Sequence, residues 1–364
     1  MRGLGKIVSR LAAARRTMQA ATSNDDGRLA ALENFGSNPG KLDARVFVSA
    51  TPPTALVVVL HGCTQSASVY DRGSGWSKLA ESHGFAVLFP QQPRSNNPNL
   101  CFNWYVPGDA RRGRGEPASI AQMVRHMVAE HGIAPSRVFI TGLSAGGAMT
   151  SIMLACYPDL FAAGAIIAGL PFAVADTLPG ALESMRGQGL PSRQVLAAKA
   201  RAAGDGAAKP PPVSVWHGTR DTIVDPVNAT AIVDQWRDLH GVGDAQPRTG
   251  QVNGHRRQIW SDARGRPLVE RYDIEGMGHG TPIDTRDGQA CGVAGPHMLD
   301  VGICSTREMA NAWGLISAAD RQASEHPPAW EHESRPRPHA AASTHPKDVG
   351  AVIEDALRTA GLMR

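Results

Sequence analysis

The chain alternates between short, wholly apolar runs and longer segments that carry one apolar stripe. Residues 55–60 (A-L-V-V-V-L) and 85–89 (F-A-V-L-F) are continuous apolar runs, the pattern of strands covered on both faces. Residues 137–141 (R-V-F-I-T) repeat that signal, and 44–49 alternate in strand fashion. Further strands are expected at 163–168, 213–217 and 268–274. Between them, residues 117–131 predict a helix. Pro117 suits its first turn, and Ile120, Met123, Val124, Met127 and Val128 line one face. A second helix begins near Ala145 and stops before Pro158, and a third lies near 228–240. Alternating helices and all-apolar strands imply an α/β fold: a mostly parallel central sheet with helices on both faces.

Three segments break this rhythm. Residues 175–212 are rich in Gly, Ala, Pro and basic side chains and read as an insertion, either a lid or a plain surface loop, with a short helix near 192–203. Residues 321–346, rich in Pro, His and charge, read as a linker. The last segment, 347–364, fits a short C-terminal helix. At the other end, residues 1–28 form a basic amphipathic segment ahead of the main body at 29–320. Within that segment, Leu4, Ile7, Val8, Leu11 and Met18 recur at helical spacing, and Arg2, Lys6, Arg10, Arg15 and Arg16 supply charge. Residues 1–19 are therefore either a helix packed on the main body or an interfacial helix that lies on an apolar or anionic surface.

Composition adds mostly exclusions. The 364 residues are 42% apolar and 19% charged, an ordinary globular balance, and the formal charge of +4 makes no case for nucleic acid. No run approaches the roughly 18 apolar residues of a membrane span. The basic start has no continuous apolar core, so no secretory signal is read. The expected location is the cytoplasm, free or at the surface that residues 1–19 would meet, with secretion as the alternative. Five cysteines (Cys63, Cys101, Cys156, Cys291 and Cys304) give no disulfide framework in such a chain. Cys291 and Cys304 are close enough in sequence to bridge a loop, but free buried thiols are expected.

The chemistry begins at Gly142-Leu143-Ser144-Ala145-Gly146, which matches G-x-S-x-G. It follows a strand and opens a helix. A sharp turn there strains the serine backbone and lifts the hydroxyl above the sheet, and the flanking glycines leave room for it. A serine hydroxyl needs a base and an acid to orient that base, in the order Ser, Asp or Glu, His. Asp221, in the loop after strand 213–217, is the chosen acid. Asp225 is its rival, and is otherwise a helix cap. His279, in G-M-G-H-G after the last strong strand, is the chosen base. His255 sits in a turn before a strand and His297 in a later loop, while His217 reads as structural. The oxyanion of acyl transfer needs N–H donors. Ala145, after the nucleophile, supplies one, and Cys63, in His61-Gly62-Cys63-Thr64-Gln65 after the first apolar strand, supplies the other. No Cys/His cluster has zinc spacing, so neither metal nor cofactor is expected.

Over residues 40–316 the chain resembles the poly(3-hydroxybutyrate) depolymerase family of esterases. The likeness lies in H-G-C-T-Q at 61–65, C-F-N-W-Y at 101–105, G-E-P-A-S-I at 115–120 and R-V-F-I-T-G-L-S-A-G-G-A-M at 137–149. It continues in W-H-G-T-R-D-T-I-V at 216–224, G-M-G-H-G-T-P at 276–282 and G-P-H-M-L-D-V-G-I at 295–303. The resemblance implies an α/β-hydrolase fold, the same Ser144, Asp221 and His279, and the same donors. It also implies a cleft in which Trp104 and Asn103 contact a polyester or small ester. Core packing is the other reading of Trp104. Feruloyl and acetylxylan esterases share the family shape, so a carbohydrate-side-chain esterase is the alternative function. A granule-surface binding protein is an alternative of another class. Secreted depolymerases of the family carry polymer-binding modules, and none is evident here.

Overall fold

The computed structural model describes residues 27–204, 208–286 and 291–316. The amphipathic segment 1–19, the linker 321–346 and the expected helix 347–364 lie outside the described residues.

The apolar runs become the centre of one large sheet. Strands β1 (Ala30–Ala31), β2 (Asp43–Phe47), β3 (Leu56–Leu60), β4 (Ala86–Gln91), β5 (Val138–Leu143), β6 (Ala163–Ile167), β7 (Val213–Gly218), β8 (Arg248–Val252), β9 (His255–Ser261) and β10 (Pro267–Ile274) line up in the order β1-β2-β4-β3-β5-β6-β7-β10-β9-β8. From β4 to β10 the neighbours are parallel. The β2 strand at one end and the β9–β8 ribbon at the other run antiparallel. This is the α/β-hydrolase fold. A small second sheet pairs β11 (Thr281–Ile283) in parallel with β12 (Met298–Asp300).

Side chains alternate across the sheet, as a period of two requires. Leu56, Val58 and Leu60 of β3 and Ile140 of β5 join one core cluster. Their helical partners there are α3 (Gly115–His131), α4 (Ala145–Cys156), α6 (Arg193–Ala203) and α7 (Val227–Leu239). Val57, Val59 and Phe139 face the other side. There they meet α1 (Ala67–Ser74), α2 (Trp76–His83) and α8 (Ser305–Ala312). All five residues of β3 are buried. β2 alternates buried and more open positions, as its milder pattern foretold.

The insertion at 175–212 carries two helices, α5 (Leu178–Met185) and α6. Leu196, Ala197 and Ala200 of α6 are buried, and Gln235 of α7 donates to the Leu196 carbonyl at 2.9 Å. Asn228 donates to the Ser184 carbonyl at 2.9 Å, which ties α5 to the start of α7. The 175–212 segment is thus joined to the helical layer over the sheet.

The expectation of free thiols is overturned for four of the five cysteines. Cys63 pairs with Cys101 and Cys291 with Cys304, with Cα separations of 4.3 and 6.2 Å, both within bridging reach. The sequence separations of 38 and 13 carry no such information. Folding brings the loop after β3 against the 97–103 loop, and that approach decides the pairing. Cys156 alone is free and buried, and burial pushes its thiol up to about 12. Alkylation of the unfolded, unreduced protein therefore labels one thiol of five, at Cys156. Three or more labelled thiols would contradict the pairing.

Candidate active site

Four adjacent parallel strands, β5, β6, β7 and β10, end on one edge of the sheet, and the candidate residues leave from that edge. Ser144 stands between β5 and α4 at φ 56° and ψ −117°, a conformation an L-residue adopts only under strain. Its N–H donates to the carbonyl of Ile167 at the end of β6, 2.9 Å away. Every residue of β5 and α4 is buried, yet Ser144 between them is partly open. The flanking glycines are sterically required. A Cβ at Gly142 would lie 2.4 Å from the Gly146 carbonyl oxygen, and one at Gly146 would lie 2.4 Å from that of Leu60. Glycine at 146 thus lets the first turn of α4 approach the end of β3.

The same approach sets Ala145, beside Gly146, near the start of the 61–65 loop, which carries the other expected donor, Cys63. Within 61–65 the neighbours of Cys63 are occupied. Gly62 N–H donates to Gln65 Oε1 at 2.9 Å and Thr64 N–H to the Asn99 carbonyl at 2.7 Å. The N–H groups of Cys63 and Ala145 have no protein acceptor among the described residues. Ala145 N–H is also an open donor of a helix N-terminus, where partial positive charge gathers.

Asp221 and His279 are joined directly: His279 Nδ1 donates to Asp221 Oδ2 at 2.7 Å. A carboxylate acceptor requires the proton on Nδ1, which leaves Nε2 as the basic nitrogen. Asp221 Oδ1 accepts the N–H groups of Ile223 and Val224, each at 2.9 Å. His217 Nε2 lies 3.4 Å from Oδ2 and donates mainly to the Val224 carbonyl at 2.8 Å. Burial pushes the Asp221 carboxyl up, but the hydrogen bonds and charges of His217 and His279 outweigh it and hold the group far below the usual carboxylate range. The two loops are also stitched together. Arg220 N–H reaches the Met277 carbonyl at 2.9 Å, and Gly276 N–H reaches Thr219 Oγ1 at 2.9 Å.

The rivals have other duties. Asp225 accepts Val227 N–H at 2.9 Å and caps the start of α7. His255 does reach the same sheet edge, because β9 runs antiparallel, a point its place before a strand concealed. Both its ring nitrogens are engaged, Nδ1 by Glu275 N–H at 3.1 Å and Nε2 with the Val301 carbonyl at 3.0 Å. His61 is equally engaged. Its Nδ1 donates to the Gly62 carbonyl and its Nε2 accepts Gln92 N–H. The Trp104 side chain packs into the core with 8% exposure, edge-on to Tyr105. The Asn103 amide donates to Glu116 Oε1 at 2.8 Å and accepts from Asn97 at 2.8 Å.

Glu116 is visible in the sequence only as part of G-E-P-A-S-I. It is fully buried and receives three donors: Asn103 N–H at 2.9 Å, Asn103 Nδ2 at 2.8 Å and Gln92 Nε2 at 2.5 Å. Gln92 also reaches the Cys101 carbonyl at 2.9 Å. This network and the Cys63–Cys101 bridge together anchor the loop after β3. The partners of Glu116, Gln92 and Asn103, come from earlier loops, and nothing local in the sequence reveals them. Among the described residues, no group of three or more His, Cys, Asp or Glu is placed to hold a metal, and no helix is long and apolar enough to cross a membrane.

The sequence profile described as "Esterase PHB depolymerase" matches residues 48–258. The chain belongs to that family. It is 44% identical over 301 residues to poly(3-hydroxyalkanoate) depolymerase C of Paucimonas lemoignei, covering 82% of this chain and 72% of that one. It is 33% identical to a probable acetylxylan esterase A of Aspergillus fumigatus over 273 residues, 71% of each chain. Among solved structures, an acetyl xylan esterase from Aspergillus awamori superposes with a TM-score of 0.67 at 25% identity, covering 79% of this chain and 99% of that one. Members of the PHB depolymerase esterase family are carboxylic ester hydrolases, and this chain is one.

Two buried groups of this esterase carry opposite pH signatures. Burial and the nearby Asp109 carboxylate push Glu116 up to about 8, against the pull of its donors. From its ordinary value near 4.5 up to about 8, the folded protein keeps a proton that the unfolded chain releases, so stability falls as pH rises through that window. Burial lowers His61 from 6.5 to about 4, against the Gly62 carbonyl. There the unfolded chain binds the extra proton, and stability rises with pH between those values. Above pH 6.5 only the Glu116 trend remains of the two. Urea unfolding at pH 6.5 and 8 is expected to show a loss of about 2 kcal/mol from Glu116 over that span. Glu116→Gln removes that share of the slope, and equal slopes in the two proteins would refute the assignment.

Proposed function

We propose that the chain is a serine esterase that hydrolyses poly(3-hydroxybutyrate) or its short oligomers through an acyl-enzyme. One observation carries the mechanism: the Asp221–His279 hydrogen bond lies on the strand edge that also bears the strained, partly open Ser144. The 44% identity to a poly(3-hydroxyalkanoate) depolymerase supports the choice of substrate.

His279 Nε2 takes the proton of the Ser144 hydroxyl as Oγ attacks the ester carbonyl. Asp221 keeps the imidazole in the Nδ1–H tautomer and offsets its charge once it is protonated. The N–H groups of Cys63 and Ala145 stabilise the oxyanion, each by about 3–4 kcal/mol. The imidazolium then protonates the departing alcohol. Water enters by the reverse proton path, and its attack frees the acid and restores the serine. The chain's own residues supply every proton transfer in this scheme. Trp104 and Asn103 serve the substrate from beneath, through the loop they hold, or by contact at its exposed edge.

The two disulfides favour an oxidising compartment, which supports the secreted alternative over the cytoplasm. Residues 1–19 are proposed as an anchor on polymer surfaces, on the strength of their basic amphipathic pattern. Deleting them is expected to abolish sedimentation with polymer granules while turnover of a soluble ester persists.

Ser144→Ala is expected to remove nearly all turnover of p-nitrophenyl butyrate, and persistent activity sinks the nucleophile assignment. A panel of amorphous polymer granules, 3-hydroxybutyrate oligomers, p-nitrophenyl acetate and methyl ferulate tests the substrate. Preferred release from polymer and oligomers is the expected result. Preference for ferulate, or for acetyl groups alone, moves the enzyme to the carbohydrate-esterase branch with the mechanism intact.

A further inference from the structure

We propose that His297 is a positioning residue for the catalytic base, holding the backbone on both sides of Gly280, directly after His279, by two hydrogen bonds. The inference rests on the reading of His279 as that base. His297 stands immediately before β12, as His279-Gly280 stands immediately before β11, and the two strands pair in parallel from Thr281 opposite Met298. His297 Nδ1 lies 3.1 Å from the His279 carbonyl oxygen. A carbonyl only accepts, so Nδ1 carries the hydrogen and donates it. In return, the His297 carbonyl accepts Thr281 N–H at 2.8 Å. The pair of bonds straddles Gly280 and fixes the backbone that aims the His279 ring. The two imidazoles also meet edge to face, with centroids 5.8 Å apart at 79°.

His297 is held in place in turn. Cys291 and Cys304 bridge the ends of the segment that contains it. Tyr70 on α1 hydrogen-bonds Thr281 Oγ1 at 3.0 Å from the opposite side. The His297 backbone is left-handed, at φ 60°, a conformation uncommon for residues other than glycine and asparagine. In this turn the His297 ring and carbonyl both bond the 279–281 stretch, and those two bonds offset the strain. His297 does not touch Asp221, so it is no alternative base. Its chemistry reaches the reaction through His279.

Two substitutions that suit a left-handed backbone keep the test free of misfolding. His297→Asn places an amide N–H at the δ position, where the imidazole donor was. His297→Gly keeps the turn and removes the donor. In the intact chain acting on p-nitrophenyl butyrate, His297→Gly is expected to lower kcat roughly tenfold with KM within about twofold, as a displaced base requires. His297→Asn restores kcat to within about threefold of the parent. The downfield proton resonance of His279 Nδ1–H should be sharp in the parent and the Asn variant and exchange-broadened in the Gly variant. Parental kcat in His297→Gly, or equal loss in both variants, overturns the proposal. His279→Ala tests the underlying reading separately: if that variant stays active, the base itself was misassigned, whatever the His297 variants do.

Discussion

The negative charge of Asp221 is kept in a place from which water is excluded, and the rest of the site depends on that. Burial alone favours a neutral acid, which would not hold the His279 tautomer. Donors reverse the balance: two backbone N–H groups on Oδ1, and His279 and His217 on Oδ2. The backbone donors come from the turn at 221–224, so the same turn that supplies the acid also solvates it. With the charge retained, Nδ1 of His279 keeps its hydrogen and Nε2 keeps its lone pair, as the proposed mechanism requires.

Around that charge, the fold supplies position in layers. The parallel sheet sends the ends of β5, β7 and β10 to one edge. The stitching between the 218–221 and 274–279 loops sets their spacing. The loop after β3, which carries the proposed oxyanion donor Cys63, has a separate support in the Cys63–Cys101 bridge, Gln92 and Glu116. Asp221 and His279 thus share one brace, and the loop after β3 has another.

Much of this was legible beforehand. The strands 55–60, 137–141 and 213–217 announce themselves because burial on both faces demands uninterrupted apolar residues, and all appear within two residues of the expected bounds. Helix 117–131 gained only two residues, Gly115 and Glu116, at its start. Short helices such as Ala67–Ser74 and Leu178–Met185 were not legible, because eight residues give too few turns for a periodic stripe. The β11–β12 pair escaped for a similar reason: three residues show no period.

What the sequence determined by itself was the order of strands and helices, the strained serine turn and the small set of residues able to act as acid or base. These are local properties, written in periodicity, glycine spacing and motif. The tertiary structure alone decided which carboxylate meets which imidazole, that Cys63 pairs with Cys101, and that Glu116 is a buried acceptor. It also decided that His255 shares the catalytic edge yet has both nitrogens engaged. Each is a contact between segments far apart in the chain. Their meeting depends on sheet order and strand direction, which no local window of sequence contains.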